Sequence, residues 1–313
     1  MKCAILGYGS IGERHTRLLE KAGYTVAVVT KRNDLKAQKY QSIKDLLKNF
    51  SPEYIVISNE TSKHYEQLLE LENLNYRKKV LVEKPLFHKI EKKKVFSFDI
   101  CVGYNLRFHP FIQKIKDILK DERKVISAHI YVGQDLSSWR KRNYTDCYSS
   151  KKELGGGVLR DLSHELDYLM WFFGPPTSLV AQIEKAGELN INSEDCANIL
   201  WTSQNCPCVN VSMNYIDKIG RREITIHTNK ETIFCDLVNG TLKVNSNVEH
   251  LTLEKDFTYQ KMHESFISEK GPLCSYKEGY DVLKVIEKAE ESMKQKKWLP
   301  FHYQEDIINS TSP

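Results

Sequence analysis

Apolar and polar positions keep one rhythm over the first third of this chain and another after it. Residues 2–6 form a short apolar run, residues 7–12 are rich in glycine, and residues 13–21 show helical spacing through Leu18 and Leu19. Gly23 closes that helix, and residues 24–30 form a second apolar run. This is a βαβ unit of about 30 residues. The alternation continues with helices over 42–49 and 63–71, and with strands over 53–58, 78–85 and 98–105. Strands alternating with helices predict a parallel sheet covered on both faces. After a helix over 110–119 the period becomes two, beginning with a strand over 126–133. In residues 208–216, Val209, Val211, Met213 and Tyr215 point one way, while Asn210, Ser212 and Asn214 point the other. Residues 222–229 alternate likewise through Ile224 and Ile226. Period-two patterning predicts a mainly antiparallel sheet with one polar face.

Residues 155–174 read as three glycines followed by a helix that would cover the apolar face of that sheet. Helices near 259–268 and over 277–294 finish the pattern. The expected fold class is therefore α/β. A doubly wound parallel sheet occupies residues 1–121, and an α+β domain with a mainly antiparallel open sheet occupies 122–313. The length of 313 residues agrees with two domains, because single cores seldom grow past about 250–300 residues. No internal repeat or low-complexity linker interrupts the chain.

Composition narrows the function more by exclusion than by assertion. With 41% hydrophobic and 28% charged residues, the chain is globular rather than disordered. Its net charge of +5 is scattered, with no basic run interleaved with aromatics, so a nucleic-acid partner is not expected. The basic cluster over 89–96 reads as solvated surface. Eight cysteines lack framework spacing and suggest free thiols in a reducing compartment. Cys206 and Cys208 flank Pro207, but nothing completes a four-ligand zinc set, so no metal is expected. The N-terminal apolar run is too short for a signal peptide, and no stretch reaches the ~20 apolar residues of a membrane span. A cytoplasmic, membrane-free protein is the expectation.

Gly7, Gly9 and Gly12 spell GxGxxG between the first strand and its helix, the context in which that motif signals dinucleotide binding. Gly7 permits the tight turn, Gly9 the approach of a pyrophosphate, and Gly12 close helix–strand packing. The helix start at Ser10 and Ile11 supplies free N–H groups for the anion. At the end of the second strand an NAD binder usually places an acid, whereas this chain has Thr30, Lys31 and Arg32. A hydroxyl and two cations suit a 2′-phosphate, so NADP is the preferred cofactor and NAD the alternative. Asp34, slightly further on, still lies within range of a ribose. Asn59 and Glu83, at strand ends, join Lys84 among the candidate cofactor contacts.

Together with VEKP at 82–85, GYNLRFHP at 103–110 and the GGG…HExD stretch, these motifs resemble the Gfo/Idh/MocA family of NAD(P)-dependent sugar and polyol oxidoreductases. The resemblance runs from Gly7 to about Lys294. It implies a Rossmann domain joined to a mainly antiparallel α/β domain, and homo-dimers or homo-tetramers built through the C-terminal sheet. Residues 137–174 further resemble a branch often found with surface-polysaccharide and sialic-acid-like sugar genes. The implied substrate is a small sugar, polyol or nucleotide-linked sugar. A dinucleotide-sensing regulator on the same fold is the alternative, since fold does not fix function.

Oxidation of a hydroxyl needs a proton acceptor and a grip on the carbinol carbon. Lys84, before Pro85, sits at the carboxyl end of a strand, where doubly wound sheets bind ligands. Arg160, Asp161, His164 and Asp167 fall on one side of the expected helix, and His164 titrates near neutral pH in its unperturbed state. The three glycines would let a substrate approach the backbone. Many relatives carry an aspartate four residues before this histidine; here that position is Arg160, and Asp161 stands three before. The catalytic candidates are thus Lys84, His164 and, as a tuner of His164, Asp161. Arg160 offers a grip for a substrate carboxylate or phosphate. Arg107 and His109 at the cleft mouth, and Trp139, Arg140 and Tyr148 in the loop before the glycines, complete the substrate-binding candidates.

Overall fold

The computed structural model describes residues 1–33, 35, 37–120, 123–138 and 143–302. Eight helices and sixteen strands lie in this order: β1 (Lys2–Leu6), α1 (Ser10–Lys21), β2 (Thr25–Val29), β3 (Gln38–Tyr40), α2 (Ile43–Asn49), β4 (Tyr54–Ile57), α3 (His64–Asn73), β5 (Lys79–Val82), β6 (Asp99–Val102), α4 (Pro110–Lys120), β7 (Val125–Gly133), α5 (Val158–Asp161), α6 (His164–Phe173), β8 (Pro176–Glu184), β9 (Cys196–Ser203), β10 (Cys206–Asn214), β11 (Arg221–Thr228), β12 (Thr232–Asp236), β13 (Thr241–Val244), β14 (Asn247–His250), α7 (Phe257–Ser268), β15 (Cys274–Ser275), α8 (Tyr276–Gln295) and β16 (Leu299–Pro300), all counted among the described residues.

Six strands of the first sheet run parallel, in the order β6-β5-β4-β1-β2-β3, and their central runs are fully buried, as both-face coverage requires. The sequence pattern passed over β3, because three residues grading from exposed Gln38 to buried Tyr40 are too few to carry a period. It also gave no sign of β15, a two-residue strand from the far end of the chain that pairs antiparallel with β6 at the sheet edge. The helix α7 likewise packs against the first sheet. Met262 and Phe266 share a core cluster with Cys3, Ile5, Val28 and Val56.

The second sheet has nine strands, ordered β14-β13-β12-β11-β7-β10-β9-β8-β16. It is antiparallel except at its centre, where β7 and β10 run parallel. Val209, Val211, Met213 and Tyr215 are all fully buried, as are Ile224 and Ile226. Their shared face is covered by α5, α6 and α8, and the opposite face of Asn210 and Ser212 is partly open.

The single helix expected over 155–174 is two helices. Leu162 and Ser163 turn between α5 and α6, and the Tyr104 hydroxyl donates to Ser163 Oγ at 3.2 Å. This break redirects every polar side chain of the stretch. It also leaves the Asp161 carbonyl outside any helical ladder, an orphan acceptor of the kind helix ends expose.

Candidate active site

The glycine turn is shaped by what surrounds each missing side chain. Gly7 has φ +97°, and a Cβ there would come within 2.6 Å of the Asn59 backbone. A Cβ on Gly12 would come 2.2 Å from the Gly7 carbonyl. A Cβ on Gly9 would meet nothing within 4 Å. Two of the three glycines are therefore demanded by protein packing, while the third leaves open space directly over the start of α1. There Gly9 is the N-cap and no side chain caps the helix, so the N–H groups of Ser10 and Ile11 point to that space. Beside it, the buried Asn59 Oδ1 has no partner among the described residues. An open face, free donors and an unpaired acceptor fit a bound dinucleotide.

At the end of β2, Thr30 Oγ1 accepts from the Arg32 amide at 3.2 Å. The Arg32 guanidinium folds back onto the turn, donating to the Tyr8 carbonyl at 2.9 Å and pairing with Glu13. Lys31 is exposed. Asp34 lies outside the described residues.

Lys84 follows β5, and its peptide to Pro85 is cis. Its ammonium donates to the Asp161 carbonyl, the acceptor freed by the helix break. Burial lowers the Lys84 pKa, helped by the charge of Arg222 and opposed by Asp161, Glu83 and Glu165. His164 opens α6 with its ring edge-on to Tyr104, centroids 5.6 Å apart. Burial, then the charges of Lys84 and Arg222, hold its pKa well below the usual histidine value. Its Nδ1 is buried with no partner among the described residues. An ammonium that follows the first sheet's β5 and an imidazole from the second half are thus electrostatic neighbours.

The model for the oxidoreductase family with an NAD-binding Rossmann fold, GFO_IDH_MocA, matches residues 1–96, and that for the GFO/IDH/MocA C-terminal domain matches residues 112–234. The chain belongs to the Gfo/Idh/MocA family. The family is one of oxidoreductases, and residues 1–96 match its NAD-binding Rossmann domain. It is 30% identical over 170 residues to an uncharacterized oxidoreductase of Synechocystis sp., a match covering 50% of this chain and 44% of that protein. The chain therefore spans under half the length of this curated relative. Its fold is similar to the WlbA dehydrogenase from Bordetella pertussis, solved with NADH and UDP-GlcNAcA (TM-score 0.82, 18% identity, 97% of this chain and 99% of that one). It is also similar to levoglucosan dehydrogenase, solved with NADH and L-sorbose (TM-score 0.80, 14% identity, 96% and 98% covered).

Several residues expected at the site are held by other partners. Asp161 Oδ2 accepts from the Tyr215 hydroxyl at 2.6 Å rather than from His164, so the tuning contact expected between them is absent among the described residues. The helix break is the reason: α5 aims Asp161 at the sheet while α6 aims His164 at Tyr104. Arg160, expected as a substrate grip, donates to the His88 carbonyl at 2.7 Å and to Glu290 at 2.6 Å. Arg107 is buried in a fork with Asp167 at 2.7–3.2 Å and also binds Glu278 and the Leu273 carbonyl. It fastens the turn after β6 to α6 and α8 and has no free donor face. The three glycines are also filled by protein. A Cβ on Gly155 would meet His88 and Thr61, on Gly156 the Tyr148 carbonyl at 2.2 Å, and on Gly157 the Glu194 carboxyl at 2.1 Å. They seat a tightly packed turn.

His109 is buried, its Nδ1 accepting from the Phe111 amide at 3.2 Å, with its pKa lowered to about 4 by burial and by Arg222. Tyr148 is partly exposed, and its ionised form would act on Tyr215. Trp139 and Arg140 lie outside the described residues.

Arg222 was missed. It stands on β11, two residues before Ile224 on the covered face, and pairs with the fully buried Glu165 at 2.9 Å. Its charge acts at Lys84, His164 and His109 alike. An arginine on the inward phase of an alternating strand was the available signal. Burial raises the Glu165 pKa against the pull of Arg222.

Proposed function

We propose that this enzyme moves a hydride between NAD(P) and a CH–OH or C=O carbon of a sugar, polyol or nucleotide-linked sugar. The observation that carries the reading is the electrostatic adjacency of the half-buried Lys84 to the buried, unpaired His164 Nδ1. Gly9, Ser10 and Ile11 would hold the pyrophosphate, with Asn59 and Glu83 at the strand ends beyond it. The bound nicotinamide supplies or accepts the hydride. Lys84, its proton affinity lowered by burial, hydrogen-bonds the reacting oxygen and takes its proton during oxidation. His164, kept neutral, orients the same oxygen through Nδ1. Arg222 adds positive charge as the oxygen becomes anionic. Relatives of the same fold that hold NADH with UDP-GlcNAcA or L-sorbose support a sugar-type substrate.

NADP is the cofactor this reading prefers. Lys31 and Arg32 would meet a 2′-phosphate once Arg32 exchanges Glu13 for it. Affinity measured by nicotinamide fluorescence should fall roughly tenfold for NADPH, and little for NADH, in Arg32→Ala. Equal losses for both would assign Arg32 to the turn alone.

The outer face of the second sheet is the surface we assign to self-association. A row of Leu200, Asn210, His129, Thr225 and Phe234 crosses it in register, and exposed Ile126 lies on the same sheet. That mixture resembles an interface more than a purely solvated face.

The decisive experiment incubates the purified protein with NAD or NADP and a panel of sugars, sugar acids and nucleotide sugars, reading reduced-nicotinamide absorbance. Turnover that Lys84→Ala abolishes supports the reading. Turnover that survives Lys84→Ala removes Lys84 from the chemistry. Tight dinucleotide binding with no reaction across the panel would favour a sensor.

A further inference from the structure

A line of buried polar groups ends at the backbone of Lys84. Tyr54 Oη lies 2.8 Å from His263 Nδ1, His263 Nε2 lies 2.8 Å from His15 Nδ1, and His15 Nε2 lies 2.9 Å from Glu83 Oε1. The other Glu83 oxygen accepts from the Lys84 backbone amide at 3.2 Å. The chain links four elements: β4, α7, α1 and the end of β5. Tyr54 and His15 are fully buried, and His263 and Glu83 are 4% and 6% exposed. Glu83 is also confined from behind, where a Cβ on Gly103 would come 3.0 Å from its Oε1.

We propose that His263 and His15 are positioning residues for Lys84 that act through Glu83. The inference rests on the catalytic role proposed above for Lys84.

The donors can be ordered from the ends. Glu83 accepts at both oxygens, so His15 donates through Nε2. At the other end, His263 Nδ1 is the one partner of the Tyr54 hydroxyl among the described residues. Were Tyr54 to accept there, its own buried proton would have no acceptor, so Tyr54 donates. His263 Nδ1 is then an acceptor, its Nε2 carries the proton, and His15 Nδ1 accepts it. Every proton points toward Glu83, and every group in the line is satisfied.

A merely stable core has no need of this arrangement. Four polar groups in line could be replaced by apolar ones at little cost in stability. What the line does fix is the orientation of one carboxylate, and with it the peptide that leads into Lys84. Burial works against the charged form of Glu83, but the hydrogen bond that His15 donates and the charge of Lys84 lower its pKa. The ionised carboxylate in turn raises the proton affinity of Lys84. The other charges acting at Lys84 are Asp161, Glu165 and Arg222, with His164 beside it, and among the described residues no hydrogen bond joins any of them to the line. Around the chain itself stand the Tyr259 ring against His15, Arg14 over that ring, and Cys3, Cys101 and Tyr76 near Tyr54. Glu83 is therefore the link through which α7 reaches the cleft.

The test uses the whole enzyme and two readouts. In 15N-histidine spectra, with signals assigned by loss in His15→Gln and His263→Gln, both rings should be Nε2–H tautomers. A proton on Nδ1 of either ring overturns the order. In His263→Leu, Glu83 loses its support and its negative charge at Lys84 weakens. The pH limb of alcohol oxidation that reports Lys84 should then move about one unit toward lower pH. His263→Gln, which keeps a donor toward His15, should return it toward the parent position. A folded His263→Leu protein whose profile superimposes on the parent refutes the positioning role. Should that variant not fold, the tautomers decide. Turnover surviving Lys84→Ala would sink the catalytic reading instead, an outcome separate from either histidine result.

Discussion

Two titrating side chains decide the chemistry here, and both are held away from their ordinary charge balance. Lys84 is pushed toward the free amine by burial, and His164 is kept neutral by burial and by the cations around it. A lysine that must give up its proton cannot be replaced by arginine, which never does so in proteins. Lys84→Arg should therefore lower kcat for oxidation by roughly 10²-fold or more while leaving dinucleotide affinity nearly intact. Steady-state rates beside a fluorescence titration check this, and an arginine variant that turns over normally would mean only positive charge is needed. Both residues stood out in the sequence because a strand-end lysine before proline and a histidine in an apolar stretch are chemically conspicuous. Arg222 was passed over although its phase with Ile224 and Ile226 was legible, because sequence spacing gives it no visible partner, and Glu165 meets it only in the fold.

At the scale of elements, the turn before α1 and the break before α6 do most to shape the cleft. Gly9→Ala should leave the melting temperature unchanged, because its Cβ would occupy open space, yet weaken dinucleotide binding roughly tenfold. Gly12→Ala should do the reverse first, lowering thermal stability through its clash with the Gly7 carbonyl. Differential scanning fluorimetry with and without NADPH separates the two. The fork of Arg107 on Asp167 ties the turn after β6 to α6. Arg107→Ala should cost about 3–5 kcal/mol of stability in a denaturant titration, since it strands a buried carboxylate. A loss under about 1 kcal/mol would mean that the fork adds little to the docking of the two halves. The helical period of residues 158–173 was legible, but its interruption was not. A hydroxyl from Tyr104, distant in sequence, meets Ser163 at the break, and spacing along one segment carries no trace of it.

Across the whole molecule, several histidines are buried and disfavoured as cations. Burial is the leading cause at His64, His109, His164 and His263. Each folded-state pKa lies below the unfolded value of 6.5, so the unfolded chain binds more protons as the pH falls. Stability should be complete above pH 6.5 and decline below it, continuing for His109 to about pH 4, where the folded state also takes up its proton. The slope is roughly 1 kcal/mol per pH unit for each such histidine. Melting curves between pH 7.5 and pH 5 measure it, and a flat profile would show that these rings charge in place.

Most of the strand and helix alternation of the first half (β3 and β15 apart), the doubly wound and mainly antiparallel classes, and the glycine turn were readable from sequence. They depend on short-range spacing and on residues whose steric demands are local. Tertiary structure alone decided where polar side chains end up. Arg160 and Arg107 looked like hands for a substrate until Glu290, the His88 carbonyl, Asp167 and Glu278 occupied them. His15, His263 and Tyr54 looked unremarkable until the fold set them in one line behind Glu83. A hydrogen bond needs two groups at under about 3.2 Å, and a chain position specifies only one of them.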